Sequence, residues 1–159
     1  MEKESWKKLV QKLIQNNATI SIMESCTGGA IANEITNISG ASSILKESYI
    51  TYCNEAKIKL GVSSKVLEKY TVYSMKVAIE MAKNVKRVAS SSIGVGITGL
   101  LGRLDPNNTS KQSNHVWYAI ITSSNQIITE ELDVPMKSRK VQKKYVTDAI
   151  LKTLFSVYK

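Results

Sequence analysis

Histidine and cysteine are scarce in this sequence, with one copy of the first and two of the second. Cys26, Cys53 and His115 share no metal-ligand spacing, which excludes a structural zinc centre, and two isolated thiols predict free cysteines rather than a disulfide framework. Long apolar runs are missing too, so no segment reads as a membrane span. The charged start Met1-Glu2-Lys3-Glu4 leads into an amphipathic pattern and not into a signal-peptide core. A soluble cytoplasmic protein without membrane contact is expected. There is no internal repeat and no low-complexity tail. What is present is ample apolar content, 43% of 159 residues, enough for the core of one globular domain over residues 1–159.

Acidic side chains are outnumbered 13 to 22, leaving a net charge of +9. The excess is mostly lysine scattered among Asn, Ile and Ser, without the basic stripe and interleaved aromatics of a nucleic-acid surface. Only the stretch from Lys137 to Lys144 approaches such a patch, so nucleic acid is not an expected partner.

Apolar periodicity predicts an opening helix on Trp6, Leu9, Val10, Leu13 and Ile14, then a strand over Ala18–Met23 and a helix over Ala30–Ile38. A β-leaning stretch follows at Tyr49–Cys53, with Asn54 as cap of a short helix starting at Glu55. Further helices are expected over Ser64–Tyr70 and after Ser74, where Val77, Ala78, Met81, Ala82 and Val85 keep the helical period. Ser92–Gly99 reads as a buried strand whose glycines mark close approach of another backbone or a ligand. After a polar loop from Leu100 to Asn114, strands His115–Thr122 and Gln126–Val134 form a hairpin that Pro135 ends, and a helix from about Ser138 to Val157 closes the chain. Alternating helices and strands with one hairpin predict an α/β fold, a three-layer α/β/α domain with a mixed sheet.

The junction Glu24-Ser25-Cys26-Thr27-Gly28-Gly29 places a serine where a strand stops and a helix begins. Paired glycines allow a tight turn and close approach to a ligand, and free N–H groups can stabilise an oxyanion or a bound anion. The same residues also make an ordinary helix cap, and local sequence leaves both readings open. Lys57 falls in the first turn of its helix, where the positive end of the dipole disfavours an ammonium and makes the amine a better base. A Ser25–Lys57 pair could then do acyl chemistry without histidine or metal, provided the fold joins the two strand ends; otherwise Lys57 is one solvated lysine among many. Lys137, Arg139 and Lys140 crowd a helix start, which suits a phosphate or carboxylate or else reflects lysine-rich composition. Gly99 and Gly102 could offer N–H groups to a phosphate. His115 reads as structural, and Tyr49, Tyr52, Trp117 and Tyr118 as mostly core, with Tyr49 and Tyr52 close enough to Ser25 to stack on a ring.

With Glu24–Gly29 and Thr51-Tyr52-Cys53-Asn54-Glu55-Ala56-Lys57 in hand, the chain resembles the CinA C-terminal domain family over nearly its whole length. Ser74 with Glu80-Met81-Ala82, Gly96-Ile97-Thr98-Gly99, Val116-Trp117 and Ser138-Arg139 follow in the family order. The resemblance implies a compact, commonly dimeric α/β/α domain. It also implies nicotinamide mononucleotide deamidation in pyridine nucleotide salvage, with a small-molecule nucleotide as substrate and no cofactor. Ser25 matches the nucleophile and Lys57 the base, while Thr27, Gly28, Gly29, Tyr52, Thr98, Gly99, Gly102 and Arg139 match substrate-binding positions, Arg139 as phosphate partner.

Departures from the family lie elsewhere. Thr71-Val72-Tyr73 stands for the family's Gly-Ala-Val, the glycine- and proline-rich loop is altered over 99–108, and Asn114 replaces a glycine whose left-handed conformation asparagine can adopt. The rival expectation is therefore a non-catalytic nucleotide-binding or interaction protein that retains the fold.

Overall fold

The computed structural model describes residues 2–102 and 114–158, so most of the altered loop, 103–113, lies outside the described residues. Helix α1 (Glu2–Gln15) leads to β1 (Ile20–Glu24) and α2 (Ala30–Thr36), and a single 3-10 turn precedes β2 (Leu45–Ile50). Short helices α3 (Asn54–Lys59) and α4 (Ser64–Tyr70) and the longer α5 (Met75–Ala89) follow. Then come β3 (Ile93–Leu100), β4 (His115–Ile121), β5 (Ile127–Asp133) and α6 (Arg139–Val157).

The strands form one five-stranded sheet in the order β2-β1-β3-β4-β5. β1 runs parallel to both β2 and β3, whereas β4 and β5 are antiparallel to their neighbours, so the sheet is mixed as the pattern predicts. On one face, Leu9, Leu13, Ile31, Ile35, Val146 and Ile150 of α1, α2 and α6 pack on Ile20, Ile22, Val95 and Ile97. On the other, α5 lays Val77, Met81 and Val85 against Met23, and Ala78 and Ala82 against Trp117 and Ala119. Three layers result, α/β/α.

Gly94 and Gly96 set how closely α5 approaches. A β-carbon on Gly96 would stand 2.4 Å from the Ala78 carbonyl oxygen and 2.5 Å from the Ala82 nitrogen. Backbone, and not a ligand, comes close there. Ser74 caps α5 by accepting a hydrogen bond from the Val77 amide, as expected.

The second strand lies earlier than its β-propensity suggests. Residues 45–50 pair with β1, whereas Thr51 to Cys53 leave the sheet. β2 is an edge strand with alternating exposure, so Lys46 and Ser48 can face water, and charged residues suit such an edge. The cap of α3 moves back with it, from the expected Asn54 to Cys53. α2 also stops early, with Asn37 as its C-cap.

Candidate active site

β2 and β3 flank β1 on opposite sides, so the chain leaves the carboxyl ends of these parallel strands in diverging directions and a crevice opens at the end of β1. Ser25 is the first residue beyond β1. Its amide still donates to the Ile97 carbonyl of β3 at 3.1 Å, and its side of the crevice is closed by the Thr51 amide, which donates to the Glu24 carbonyl at 2.8 Å. The residues after β1 and after β2 are thereby held side by side.

Glu24 accounts for the turn that follows. Its side chain is fully buried and accepts hydrogen bonds from the Thr27 hydroxyl at 2.7 Å, the Ile31 amide at 3.1 Å and the Ala32 amide at 3.2 Å. It therefore does the capping that the sequence reading left open for Ser25. The N-cap residue itself, Gly29, is left-handed and contributes no side-chain bond. Sequence reasoning misses Glu24, although an acidic residue ending a buried strand three positions before Thr27 is a signal for it.

Relieved of capping, the Ser25 hydroxyl has Lys57 as its neighbour, with Oγ and Nζ 3.3 Å apart. Nζ also donates to the Thr51 carbonyl at 2.6 Å. Both side chains are buried, Ser25 at 8% exposure and Lys57 at 1%. Burial pushes the Lys57 amine down to about 8, against a smaller upward pull from Cys53, Cys26 and Glu55. This replaces the helix-dipole account, because α3 is a single short helix of six residues whose last turn also contains Lys57. Cys26, next in the chain, is free and buried, and loss of solvation raises its thiol to about 12. A thiol raised this far is held in its neutral, weakly nucleophilic form.

A second cluster adjoins the first. Arg139 opens α6 and donates from Nη1 to the Leu101 carbonyl and from Nη2 to the Tyr52 hydroxyl, the latter at 3.1 Å. Tyr52 is not core, being 62% exposed. Gly102, at φ +82°, lies under the Arg139 side chain, whose Nη1 would be 3.1 Å from an added β-carbon. The Gly102 amide donates to Asn114 Oδ1 at 2.9 Å, and the buried Gln142 donates to the same oxygen at 2.8 Å. Asn114 does adopt the left-handed conformation, with φ +56°.

Other expected positions lie differently. Thr98 is buried and its hydroxyl donates to the Val72 carbonyl at 2.7 Å, tying the 71–73 segment to β3. Gly99 is inside β3 opposite Val116, where a β-carbon would meet the His115 carbonyl at 2.5 Å; strand packing, not a loop, explains it. His115 sits between Glu131 and Asp133 at 2.6 and 2.8 Å, on the hairpin. Thr27, Gly28 and Gly29 line an open groove of about 630 Å³ together with Asn33, Ser48 and Lys143. Among the described residues no group of three His, Cys, Asp or Glu side chains could hold a metal, and no helix is long and apolar enough to cross a membrane.

Comparison with known proteins follows the same outline. A family model described as the CinA C-terminal domain matches residues 2–157. A Clostridium novyi (strain NT) protein described as competence-damage inducible is 38% identical over 143 residues, 89% of this chain and 34% of that protein. A similarly described Acetivibrio thermocellus protein is 45% identical over 91 residues, 57% of this chain and 22% of the relative. The chain thus spans about a third or less of these relatives. Among solved structures, competence/damage inducible protein CihA from Agrobacterium tumefaciens superposes with a TM-score of 0.92 at 24% identity, covering 99% of this chain and 95% of its own. A CinA superfamily protein from Escherichia coli gives 0.91 at 25% identity, over 99% and 90%.

Proposed function

Because the chain belongs to the CinA C-terminal domain family, we propose that it hydrolyses the carboxamide of nicotinamide mononucleotide to nicotinate mononucleotide and ammonia, with Ser25 as nucleophile and Lys57 as base. The single observation that carries this reading is a buried amine, lowered to about 8, standing 3.3 Å from a serine hydroxyl that caps nothing.

The chemistry proceeds in two halves. The neutral Lys57 amine takes the Ser25 proton as Oγ bonds to the carboxamide carbon. The Cys26 amide, next after the nucleophile and without a carbonyl acceptor among the described residues, is the donor proposed for the resulting oxyanion. Lys57 then returns the proton to the amide nitrogen, the C–N bond breaks and ammonia leaves an ester on Ser25. Water enters, Lys57 takes its proton, and the ester opens to the acid with the proton passing back to Ser25. Thr51 holds the amine throughout by its carbonyl. Tyr52 and Arg139, hydrogen-bonded to each other, are the residues proposed to contact the rest of the substrate.

Ammonia release from purified protein given nicotinamide mononucleotide tests the reading, with the Ser25→Ala protein as control. The rival, a non-catalytic nucleotide-binding or interaction protein, draws on Thr71, a β-branched residue at φ +62° where the resemblance implies glycine. A folded wild type that releases no ammonia would favour it. A homodimer is proposed as well, and sedimentation would check it.

A further inference from the structure

The inward row of α6 begins with a residue that does not match the rest of it. Val146, Ile150 and Leu154 follow one another at four-residue steps as buried apolar side chains, whereas Gln142, one step earlier and equally buried, is an amide. Its Nε2 donates to Asn114 Oδ1 at 2.8 Å and to the Pro135 carbonyl at 3.1 Å, but its Oε1 has no partner among the described residues. Burying an amide with its oxygen unpaired costs stability, so packing alone would favour an apolar side chain here. The reason for an amide lies in what Nε2 holds.

Asn114 is a junction. Its carbonyl accepts from the Val134 amide at 2.7 Å just beyond β5, and its Nδ2 donates to Met136 Sδ. Its Oδ1 takes the Gly102 amide at 2.9 Å together with Gln142, which uses both lone pairs. The residue is buried and left-handed, and it stands where the resemblance implies a glycine, which would keep that backbone but offer no acceptor.

Leu101 and Gly102 lead back to α6. Arg139 donates from Nη1 to the Leu101 carbonyl, its Cγ would be 3.4 Å from a β-carbon on Gly102, and its Nη2 donates to the Tyr52 hydroxyl at 3.1 Å. Arg139 and Gln142 are three residues apart on one helix, so the contacts close a ring: α6 to Leu101, Gly102 to Asn114, and Asn114 back to α6. Ordering a guanidinium on its long stem costs rotamer freedom, and such a ring meets that cost before a ligand arrives. The bonds that hold the nucleophile side lie outside the ring. Ser25 hangs from Ile97, Thr51 from Glu24 and Lys57 from Thr51.

We propose that Asn114 and Gln142 are positioning residues for substrate binding: the buried amide pair fixes Arg139 over Gly102 and against Tyr52, and so sets affinity without setting the rate of the step at Ser25. This rests on the reading of Arg139 and Tyr52 as substrate contacts and of Ser25 as nucleophile, but the order of Arg139 can be measured in the free protein.

The test begins with nitrogen-15 relaxation of the Arg139 Nε–Hε group in the full chain without ligand. In wild type this group should be as ordered as the backbone of α6, whereas Asn114→Gly and Gln142→Leu should each free it to move like a solvated arginine. Asn114→Asp keeps the acceptor oxygen and should leave it ordered. In deamidation of nicotinamide mononucleotide the two loosening variants should raise KM about tenfold and change kcat less than about twofold, and Asn114→Asp should stay within about threefold of wild type in KM. Circular dichroism checks folding, and Gln142→Met serves if the Leu protein is unfolded. An Arg139 side chain as ordered in the folded variants as in wild type would overturn the assignment, as would a loss in kcat with KM unchanged. Wild-type protein that orders Arg139 through the pair yet releases no ammonia would refute the hydrolytic reading and leave the positioning of Arg139 standing.

Discussion

The Lys57 amine makes its shorter contact with a carbonyl rather than with the serine: Nζ donates to Thr51 at 2.6 Å and stands 3.3 Å from Ser25 Oγ. A neutral amine that donates one hydrogen to Thr51 has its orientation fixed and a lone pair left for the hydroxyl proton. Anchoring this buried amine to backbone also makes its protonation state part of the folding equilibrium.

That linkage has a definite sign. Lys57 is lowered from 10.5 to about 8 by burial, so between these values the unfolded chain binds a proton the folded chain lacks. The penalty is present in full below pH 8 and relieved as pH rises to 10.5. Lys57→Met removes it and leaves Thr51 without a donor, a loss of about 1–3 kcal/mol. Thermal unfolding across pH should therefore show wild type gaining on the Met protein by about 2–3 kcal/mol between pH 8 and 10.5. A constant difference would mean Lys57 is solvated. Deamidation by wild type should rise through pH 8 on the same ionisation, and Lys57→Met should lose roughly 10²–10⁴-fold in rate.

Ser25→Ala should abolish ammonia release and change stability by less than about 1 kcal/mol, because the hydroxyl caps no helix. Cys26→Ser should keep activity. Labelling with iodoacetamide under native conditions should mark the exposed Cys53 and spare the buried Cys26, whose thiol sits near 12; mass mapping decides.

Glu24→Gln should be costly, because the Glu24 side chain is fully buried and holds the turn together. Its amide nitrogen would face donors where a carboxylate oxygen now accepts them, so a loss of about 1–3 kcal/mol is expected in urea unfolding. Activity should fall with it, since the same three bonds shape the Ser25–Gly29 turn. Unchanged stability would show that the turn holds without Glu24.

Thr71 stands at φ +62° and ψ 166°, a region open almost solely to glycine. Thr71→Gly should therefore stabilise the folded protein by about 1 kcal/mol, after the backbone entropy of glycine and the lost Tyr73 amide bond to the threonine hydroxyl. Destabilisation on denaturant titration would show that the hydroxyl outweighs the strain.

Much of this was legible in the chain, and the failures share a cause. Val77, Ala78, Met81, Ala82 and Val85 announced α5 because one face of it is entirely buried, and the hairpin showed through its Ser-Ser-Asn turn. β2 was displaced toward Tyr49–Cys53 because Lys46, Glu47 and Ser48 look unlike a strand, and an edge position permits them. The sequence pairs Ser25 with Lys57 only on condition that the fold joins their strand ends, which it does at 3.3 Å, while the helix dipole expected to act on the lysine gives way to burial, which no local window reveals. Glu24 is harder to read: its spacing to Thr27 is its one side-chain signal, and its other partners, the Ile31 and Ala32 amides, are backbone groups with no signature in side-chain type.

The Ser25 amide is the last rung of the β1–β3 ladder, bonded to Ile97. Exposed turns exchange their amide hydrogens with solvent through small local openings, whereas a rung of a central parallel pair exchanges only when the sheet itself comes apart. The deuterium clock of Ser25 should thus run with those of Ile22 and Val95 rather than with those of the glycines three and four residues on. A side chain on such a rung is aimed by the sheet at every instant the protein is folded, and motion is left to the turn beyond it.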